Sequence, residues 1–269
     1  MSASTPWRLA SASSIGTSHL LSGLPCQDSQ VIAILDSVTS PILVVVVCDG
    51  AGSAAYSDVG SAMAGSAFVD LVKAYFLEGN GIQGLSRATA VSWVDIVARM
   101  LEAHAKVQGH AVRDYACTLL AAIIGEDEAA FVQIGDGAIV VSHGEADGWS
   151  YVFWPQHGEF ANTTNFIVSL NASDVVEFEM APRSIKEFAV FSDGIEKLVL
   201  HDETHTVHQN FFNSMLPPVR KTPVCGVDET LSKRLQEYLA SPAICERTDD
   251  DKTLVLATRL KSAVPGAQT

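Results

Sequence analysis

The chain has 269 residues, of which 48% are hydrophobic and 18% are charged. This composition excludes an intrinsically disordered chain, because disorder requires low hydrophobicity combined with high net charge. The formal net charge of −14 argues against a nucleic-acid partner, because nucleic-acid binding depends on Lys and Arg side chains that neutralise phosphates. We therefore expect a folded chain with a substantial core.

The cysteines and the apolar segments indicate the compartment. The five cysteines are odd in number and form no Cys-x-x-Cys pair, which is typical of buried thiols in a reducing compartment. The longest strongly apolar run, Ile42–Cys48, is too short to cross a bilayer, and residues 1–16 lack the apolar core of a signal peptide. We expect a cytoplasmic protein with no membrane partner.

Four apolar segments are predicted to be buried strands, and each has an acidic residue at one end. The β-branched run Ile42–Cys48 fits a strand that is buried on both faces better than it fits a helix. The four junctions are Ile42–Cys48 with Asp49, Ala129–Ile134 with Gly135-Asp136-Gly137, 188–191 with Ser192-Asp193-Gly194, and 254–257 with the preceding Asp249-Asp250-Asp251.

The segments between these strands predict helices and further strands. Apolar residues recur at spacings of three and four over 59–76 and 93–101, which predicts two amphipathic helices. Residues 117–141 favour a β-meander, and Pro217-Pro218 is expected to break the segment that contains it.

A last helix is predicted over 228–239, with Asp228 as its N-cap. The order of elements indicates an α+β fold with layers rather than alternating βαβ units. No composition break marks a linker, so we expect one domain over 1–269, with a core at about 10–260 and a flexible tail at 261–269.

A single Asp-Gly pair is weak evidence for a site, because this pair is common in turns. Asp147-Gly148, for example, lies between two short predicted strands and is interpreted as a turn. Asp49, Asp136 and Asp193 differ because each follows a strongly apolar strand. Carboxylates that meet at the rim of a sheet raise one another's pKa, and bound Mg²⁺ or Mn²⁺ removes that cost. The pattern therefore predicts a metal site.

These residues also carry a resemblance to a known family. The ordered motifs resemble those of the type 2C (PPM) serine/threonine protein phosphatases, particularly the compact bacterial members, from His19 to Leu256. They are His19 with Gln27-Asp28, Cys48-Asp49-Gly50-Ala51-Gly52, Gly135-Asp136-Gly137, Ser192-Asp193-Gly194 and Asp250-Asp251-Lys252-Thr253.

The resemblance implies a four-layer α-β-β-α sandwich in which two central antiparallel sheets are flanked by helices. It also implies two Mn²⁺ or Mg²⁺ ions per site. Asp49 would bridge them, the Gly50 carbonyl would help to hold one, and Asp193 and Asp250 would bind the other. Asp136 matches the position of a third, weaker metal.

Several positions differ from the residues that the family usually carries. Asp28 would orient metal-bound water. Gln27 stands where many members carry a metal-binding Glu and would offer a carbonyl oxygen. Gly23 stands at the position of the arginine that grips the phosphate, so His19 is a candidate substitute. Ala51 replaces a His found in eukaryotic members.

The implied activity is hydrolysis of phosphoserine and phosphothreonine in proteins, with substrates from a serine/threonine kinase circuit. An acidic protein that acts on phosphate needs cations to offset repulsion, which agrees with a metal-dependent reaction. Two alternatives stay open at this point: a pseudophosphatase or phosphopeptide-binding module, and a small-molecule phosphoesterase on the same scaffold.

The histidines at 201, 205 and 208 suggest a zinc site only superficially. The zinc-protease motif needs Glu after its first His, and here Asp202 follows His201. We interpret this segment as a solvated loop.

Overall fold

The computed structural model describes residues 5–36, 40–144, 147–156 and 164–260. The strands, in chain order, are β1 Trp7–Ser14, β2 Ser29–Leu35, β3 Ile42–Cys48, β4 Leu119–Ile124, β5 Ala129–Ile134, β6 Ala138–Ser142, β7 Ser150–Tyr151, β8 Glu177–Ala181, β9 Glu187–Phe191, β10 Leu200–His201, β11 Thr206–Val207, β12 Gly226–Val227 and β13 Lys252–Arg259. The α-helices are α1 Thr17–Ser22, α2 Ser57–Leu77, α3 Arg87–Gln108, α4 Ala172–Val175, α5 Glu196–Val199, α6 Gln209–Lys221, α7 Glu229–Leu239 and α8 Pro242–Cys245.

Two large sheets form the centre of the molecule. One has the strand order β12-β1-β13-β9-β6-β7, and the other has the order β2-β3-β4-β5-β8. Their pairs are antiparallel except for the short parallel pair β1–β12. β10 and β11 pair separately as a small hairpin.

The burial of β3 shows how the layers are stacked. Successive side chains of a strand point to opposite faces of its sheet. Val45 and Val47 pack with Phe188 and Val190 of the other sheet, so the two sheets meet face to face. Val44 and Val46 belong instead to a cluster with side chains of α2 and α3. The run is apolar at every position because both of its faces are buried.

Helices cover both outer faces. Phe68 of α2 and Val94 of α3 pack on the five-stranded sheet. Phe212 of α6 and Leu235 of α7 pack on the six-stranded sheet. These layers confirm the predicted α+β sandwich of two antiparallel sheets flanked by helices.

Two element predictions were wrong. Residues 117–141 do not form a meander, because β5 pairs with β4 and β8 while β6 pairs with β9 and β7 in the other sheet. The chain changes sheets at Gly135-Asp136-Gly137. Gly135 has φ 118°, and a Cβ on Gly137 would lie 2.5 Å from the Phe191 carbonyl oxygen, so this crossing requires glycine on both sides of Asp136.

The predicted break at Pro217-Pro218 is the second error. Both prolines lie inside α6, and the residues beside them, Leu216 and Val219, are buried against the six-stranded sheet. Packing of this apolar face outweighs the two missing N–H donors.

Other features fall as follows. Asp228 caps α7 as predicted. The predicted tail at 261–269 lies outside the described residues. In the part of the chain that the structure describes, no helix combines the length and apolarity that a bilayer span requires.

Candidate metal centre

Four aspartates from separate strand ends line one cavity. Asp49 follows β3, Asp136 lies in the β5–β6 crossing, Asp193 follows β9, and Asp250 lies two residues before β13. The cavity has a volume of about 90 Å³, and its other lining residues are Gly50, Ala51, Gly52, Thr164 and Phe166. The layered fold thus gathers carboxylates that are up to 201 positions apart in the sequence, the difference between 250 and 49.

The backbone around Asp49 is fixed on both sides. Its N–H donates to the Thr118 hydroxyl at 2.9 Å, and its carbonyl accepts from the Thr118 N–H at 2.8 Å. A Cβ on Gly50 would lie 2.7 Å from the Gln27 carbonyl oxygen, so only glycine allows this approach. These contacts direct the Asp49 carboxylate into the cavity.

Ser192 connects three parts of the site. Its hydroxyl donates to Asp28 Oδ2 at 2.7 Å and accepts from the Thr253 N–H at 2.9 Å. Ser192 is fully buried and directly precedes Asp193. The position of Asp28 is therefore coupled to the end of β9 and the start of β13.

Asp251 holds the N-terminal segment against the site. Its Oδ1 accepts from the Gly16 N–H at 2.6 Å, and its Oδ2 accepts from the Gln27 N–H and lies 2.9 Å from His19 Nδ1. The residue is only 2% exposed. A carboxylate with three partners in this setting orders both His19 and Gln27.

The carboxylates are electrostatically unfavourable in the absence of cations. Burial, followed by the negative charges of Asp28 and Asp193, raises the pKa of Asp49 well above its usual range. Burial also raises the pKa of Asp28 to about 7, although hydrogen bonds from Ser192 and Thr253 lower it. Burial and the neighbouring Asp136 raise the pKa of Asp193 to about 6. A bound cation would reverse this cost.

The donor atoms fit a hard divalent cation. Gln27 Oε1, Asp28 Oδ1 and Asp193 Oδ1 are buried and accept no hydrogen bond. Such buried acceptors cost free energy unless a donor or ion occupies them. All the candidate ligands are oxygens, which Mg²⁺ and Mn²⁺ prefer.

The arrangement is not a closed cage. Across the described residues, no three His, Cys, Asp or Glu side chains are already grouped as ligands of a single ion. This agrees with Mg²⁺-type sites, which keep several waters and use few direct carboxylate contacts.

The remaining predicted residues lie beside the cavity and do not line it. Gln27 and Asp28 are buried next to it and contact its framework through Asp251 and Ser192. His19 is only 8% exposed, and its Nδ1 faces Asp251. The structure thus gives His19 a structural partner, and a contact with substrate phosphate stays a prediction.

Sequence reasoning missed the residues that position the carboxylates. Thr118 and Ser192 gave no signal beyond their place next to apolar strands. Asp251 belongs to the acidic run 249–251, which the sequence analysis noted. The run alone does not show which of its carboxylates is buried and which is exposed. Thr164, which donates a hydrogen bond to Asp136, lies in a segment without a motif.

The histidine segment is not a zinc helix. His201 ends β10, and its ring stacks on that of His208 with centroids 3.6 Å apart. His205 lies in the β10–β11 turn with φ 47° and contacts Trp154. This geometry agrees with the predicted loop.

Comparisons with known proteins identify protein phosphatases as relatives of this chain. A family model described as "Protein phosphatase 2C" matches residues 15–240. The chain is 37% identical over 256 residues to serine/threonine-protein phosphatase 3 of Escherichia coli (strain K12), covering 93% of this chain and 98% of that protein.

Solved structures show the same fold at low identity. The serine/threonine phosphatase Stp1 from Staphylococcus aureus is similar with a TM-score of 0.61 at 16% identity, covering 96% of this chain and 97% of that one. The catalytic domain of the serine/threonine protein phosphatase PstP, solved in complex with two manganese ions, gives a TM-score of 0.59 at 16% identity, with 95% and 99% covered.

Proposed function

The chain belongs to the protein phosphatase 2C family, and we propose that it hydrolyses phosphoserine and phosphothreonine in proteins with two divalent cations held in the 90 Å³ cavity. The observation that carries this proposal is the convergence of Asp49, Asp136, Asp193 and Asp250 on that cavity. A site with this much negative charge is suited to bind cations, and bound cations would in turn attract a negatively charged phosphate.

Each carboxylate has a proposed role. Asp49 and the Gly50 carbonyl would help to hold the cations, and Asp193 and Asp250 would hold the second one. Asp136 provides a weaker third position. When bound, the pair of cations supplies an activated water and stabilises charge on the attacking and leaving oxygens.

Two residues next to the cavity assist. Asp28 Oδ1, which accepts no hydrogen bond, would accept one from a water held by the cations and so orient that water. Gln27 Oε1 also lacks a partner and offers a neutral oxygen to a cation or its water. Phosphoryl transfer depends mainly on such positioning and electrostatic stabilisation.

The binding-module alternative is motivated by Gln27, Gly23 and Ala51, which stand where other members carry Glu, Arg and, in eukaryotic members, His. Asp49, Asp136, Asp193 and Asp250 all line one cavity, which favours the enzyme. The finer proposals are Mn²⁺ or Mg²⁺ as the cation, phosphoproteins of a kinase circuit as substrates, a cytoplasmic location, and a single catalytic domain over about 10–260.

Hydrolysis of an aryl phosphate by the purified protein with Mn²⁺ tests the activity. Asp49→Asn and Asp193→Asn should each reduce kcat/KM by at least about 100-fold, because each removes charge that holds the cations. Asp147→Asn, in the turn after β6, is the matched control and should retain activity. Full turnover in both site variants would refute the proposal.

A further inference from the structure

A shallow groove that is open to solvent lies beside the metal centre. This groove has a volume of about 660 Å³. Thr164 and Phe166 line the 90 Å³ cavity, while Asn165 between them lines the groove. The segment 164–166 therefore borders both cavities.

Gln156 joins the groove to the crossing that carries Asp136. Its Oε1 accepts from the Gly135 N–H at 3.0 Å. Its Nε2 donates to the Val175 carbonyl at 2.7 Å and to Glu177 Oε2 at 2.9 Å. Because Gly135 directly precedes Asp136, Gln156 connects the wall of the groove to the backbone of the metal centre.

The walls of the groove are apolar and acidic. Phe153, Trp154 and Phe178 supply aromatic surface, and Asp174 and Glu177 supply carboxylates. Among the described residues, neither carboxylate forms a salt bridge. Glu177 is half-buried, so its charge is less screened than that of a fully exposed carboxylate.

The cation in the wall, Arg87, is directed elsewhere. Its Nε donates to the Val176 carbonyl at 3.1 Å, and its Nη2 donates to the Ser173 and Asp174 carbonyls at 3.1 and 2.9 Å. These bonds tie α3 to the backbone around α4. The Asp174 and Glu177 carboxylates thus keep the capacity to receive a cation from outside.

We propose that this groove binds a Lys or Arg side chain of the phosphoprotein substrate, located within a few residues of the phosphorylated one. The inference rests on the proposed function and names its substrate class. The aliphatic stem packs on the aromatic wall while the charged end reaches the carboxylates, as long basic side chains do on amphipathic surfaces. An acidic flanking residue meets repulsion here, and the net charge of −14 acts in the same direction.

Binding of two labelled peptides tests the proposal without requiring turnover. Both carry a non-hydrolysable phosphonate analogue of phosphoserine, with Arg on each side in one peptide and Glu at the same positions in the other. Fluorescence anisotropy with the full Mn²⁺-loaded chain should give a Kd roughly tenfold lower for the Arg peptide than for the Glu peptide. The reason is that Arg is attracted by the carboxylates of the groove, whereas Glu is repelled by them.

Substitutions in the groove test whether its carboxylates cause the preference for the Arg peptide. Glu177→Gln keeps an acceptor for Gln156 and removes the charge, and combined with Asp174→Asn it should reduce the ratio of the two Kd values to about two or less. Glu179→Gln, on the same strand but outside the groove, is the matched control and should keep the ratio of the wild type. Equal affinities in the wild type, or an unchanged ratio in the double variant, would overturn the proposal. Failure of aryl-phosphate hydrolysis would instead count against the proposed function alone.

Discussion

The aspartates of the metal centre lower the stability of the fold when they are ionised and no cation is bound. Asp49 and Asp28 are enclosed by apolar strands, and each is close to another carboxylate. Burial and a neighbouring negative charge disfavour the ionised carboxylate, and either protonation or a bound cation relieves that cost. The same side chains that suit the site to metal therefore make the metal-free protein sensitive to pH.

We expect the stability of the metal-free protein to fall as the pH rises. The pKa values of Asp49, Asp28 and Asp193 are raised in the folded state, so the folded chain binds more protons than the unfolded one. Their contribution is fully present below their unfolded value of 3.8. It is lost as the pH passes about 6 for Asp193 and about 7 for Asp28.

Thermal unfolding in the presence of a chelator measures this loss. The Tm of the wild type should fall between pH 5 and pH 8, and Asp49→Asn with Asp193→Asn should make that fall smaller, whereas Asp147→Asn should follow the wild type. Added Mn²⁺ should raise the Tm most at the higher pH. Parallel curves for the wild type and the double variant would contradict this account of the site.

Asp251 should matter to stability although it does not line the cavity. Asp251→Ala leaves the N–H groups of Gly16 and Gln27 without their acceptor, and each unpaired buried donor costs about 1–3 kcal/mol. We expect the free energy of unfolding to fall by about 2–6 kcal/mol. Asp249→Ala, two residues earlier and exposed, should change it by no more than about 0.5 kcal/mol. Urea denaturation of both variants measures the difference, and equal effects would show that Asp251 has no special role.

At the scale of elements, the sequence predicted what depends on local burial. The buried strands β3, β5, β9 and β13 were found because their runs are apolar on both faces. The short strands β10, β11 and β12 were not found, because two residues carry no periodic signal and their pairing depends on distant partners. The crossing at Gly135-Asp136-Gly137 was missed for a related reason. Glycine and aspartate follow a strand both in a hairpin turn and where the chain passes to another sheet, so the sequence does not distinguish the two.

The cap of α7 allows a test at this scale. Asp228 Oδ1 accepts from the Thr230 and Leu231 N–H groups at 2.9 and 3.1 Å. Asp228→Ala should lower the free energy of unfolding by about 1 kcal/mol, because it leaves these donors without a side-chain acceptor. Glu237→Ala, exposed on the same helix, is the control and should have a smaller effect. Because α7 lies on the outer face of the six-stranded sheet, Asp228→Ala should not change aryl-phosphate turnover per folded molecule. A large loss of turnover would contradict the position of α7 away from the metal centre.

At the scale of the whole molecule, the two sheets explain why separate motifs form one site. Asp49 and Asp136 extend from elements of the five-stranded sheet, and Asp193 and Asp250 extend from strands of the six-stranded sheet. Sandwiching the sheets brings these ends to a common rim. The sequence predicted the acidic strand ends and, through the family resemblance, their convergence. It could not predict the groove, whose walls come from α3, β8 and the segment after β7.

The most direct test of the central claim is a crystal structure of the Mn²⁺-loaded protein with anomalous scattering from the metal. The account predicts two strong peaks about 3.5–4 Å apart beside Asp49, with Asp193 and Asp250 next to one of them. An absence of peaks at saturating Mn²⁺, or peaks only at sites remote from these aspartates, would contradict it.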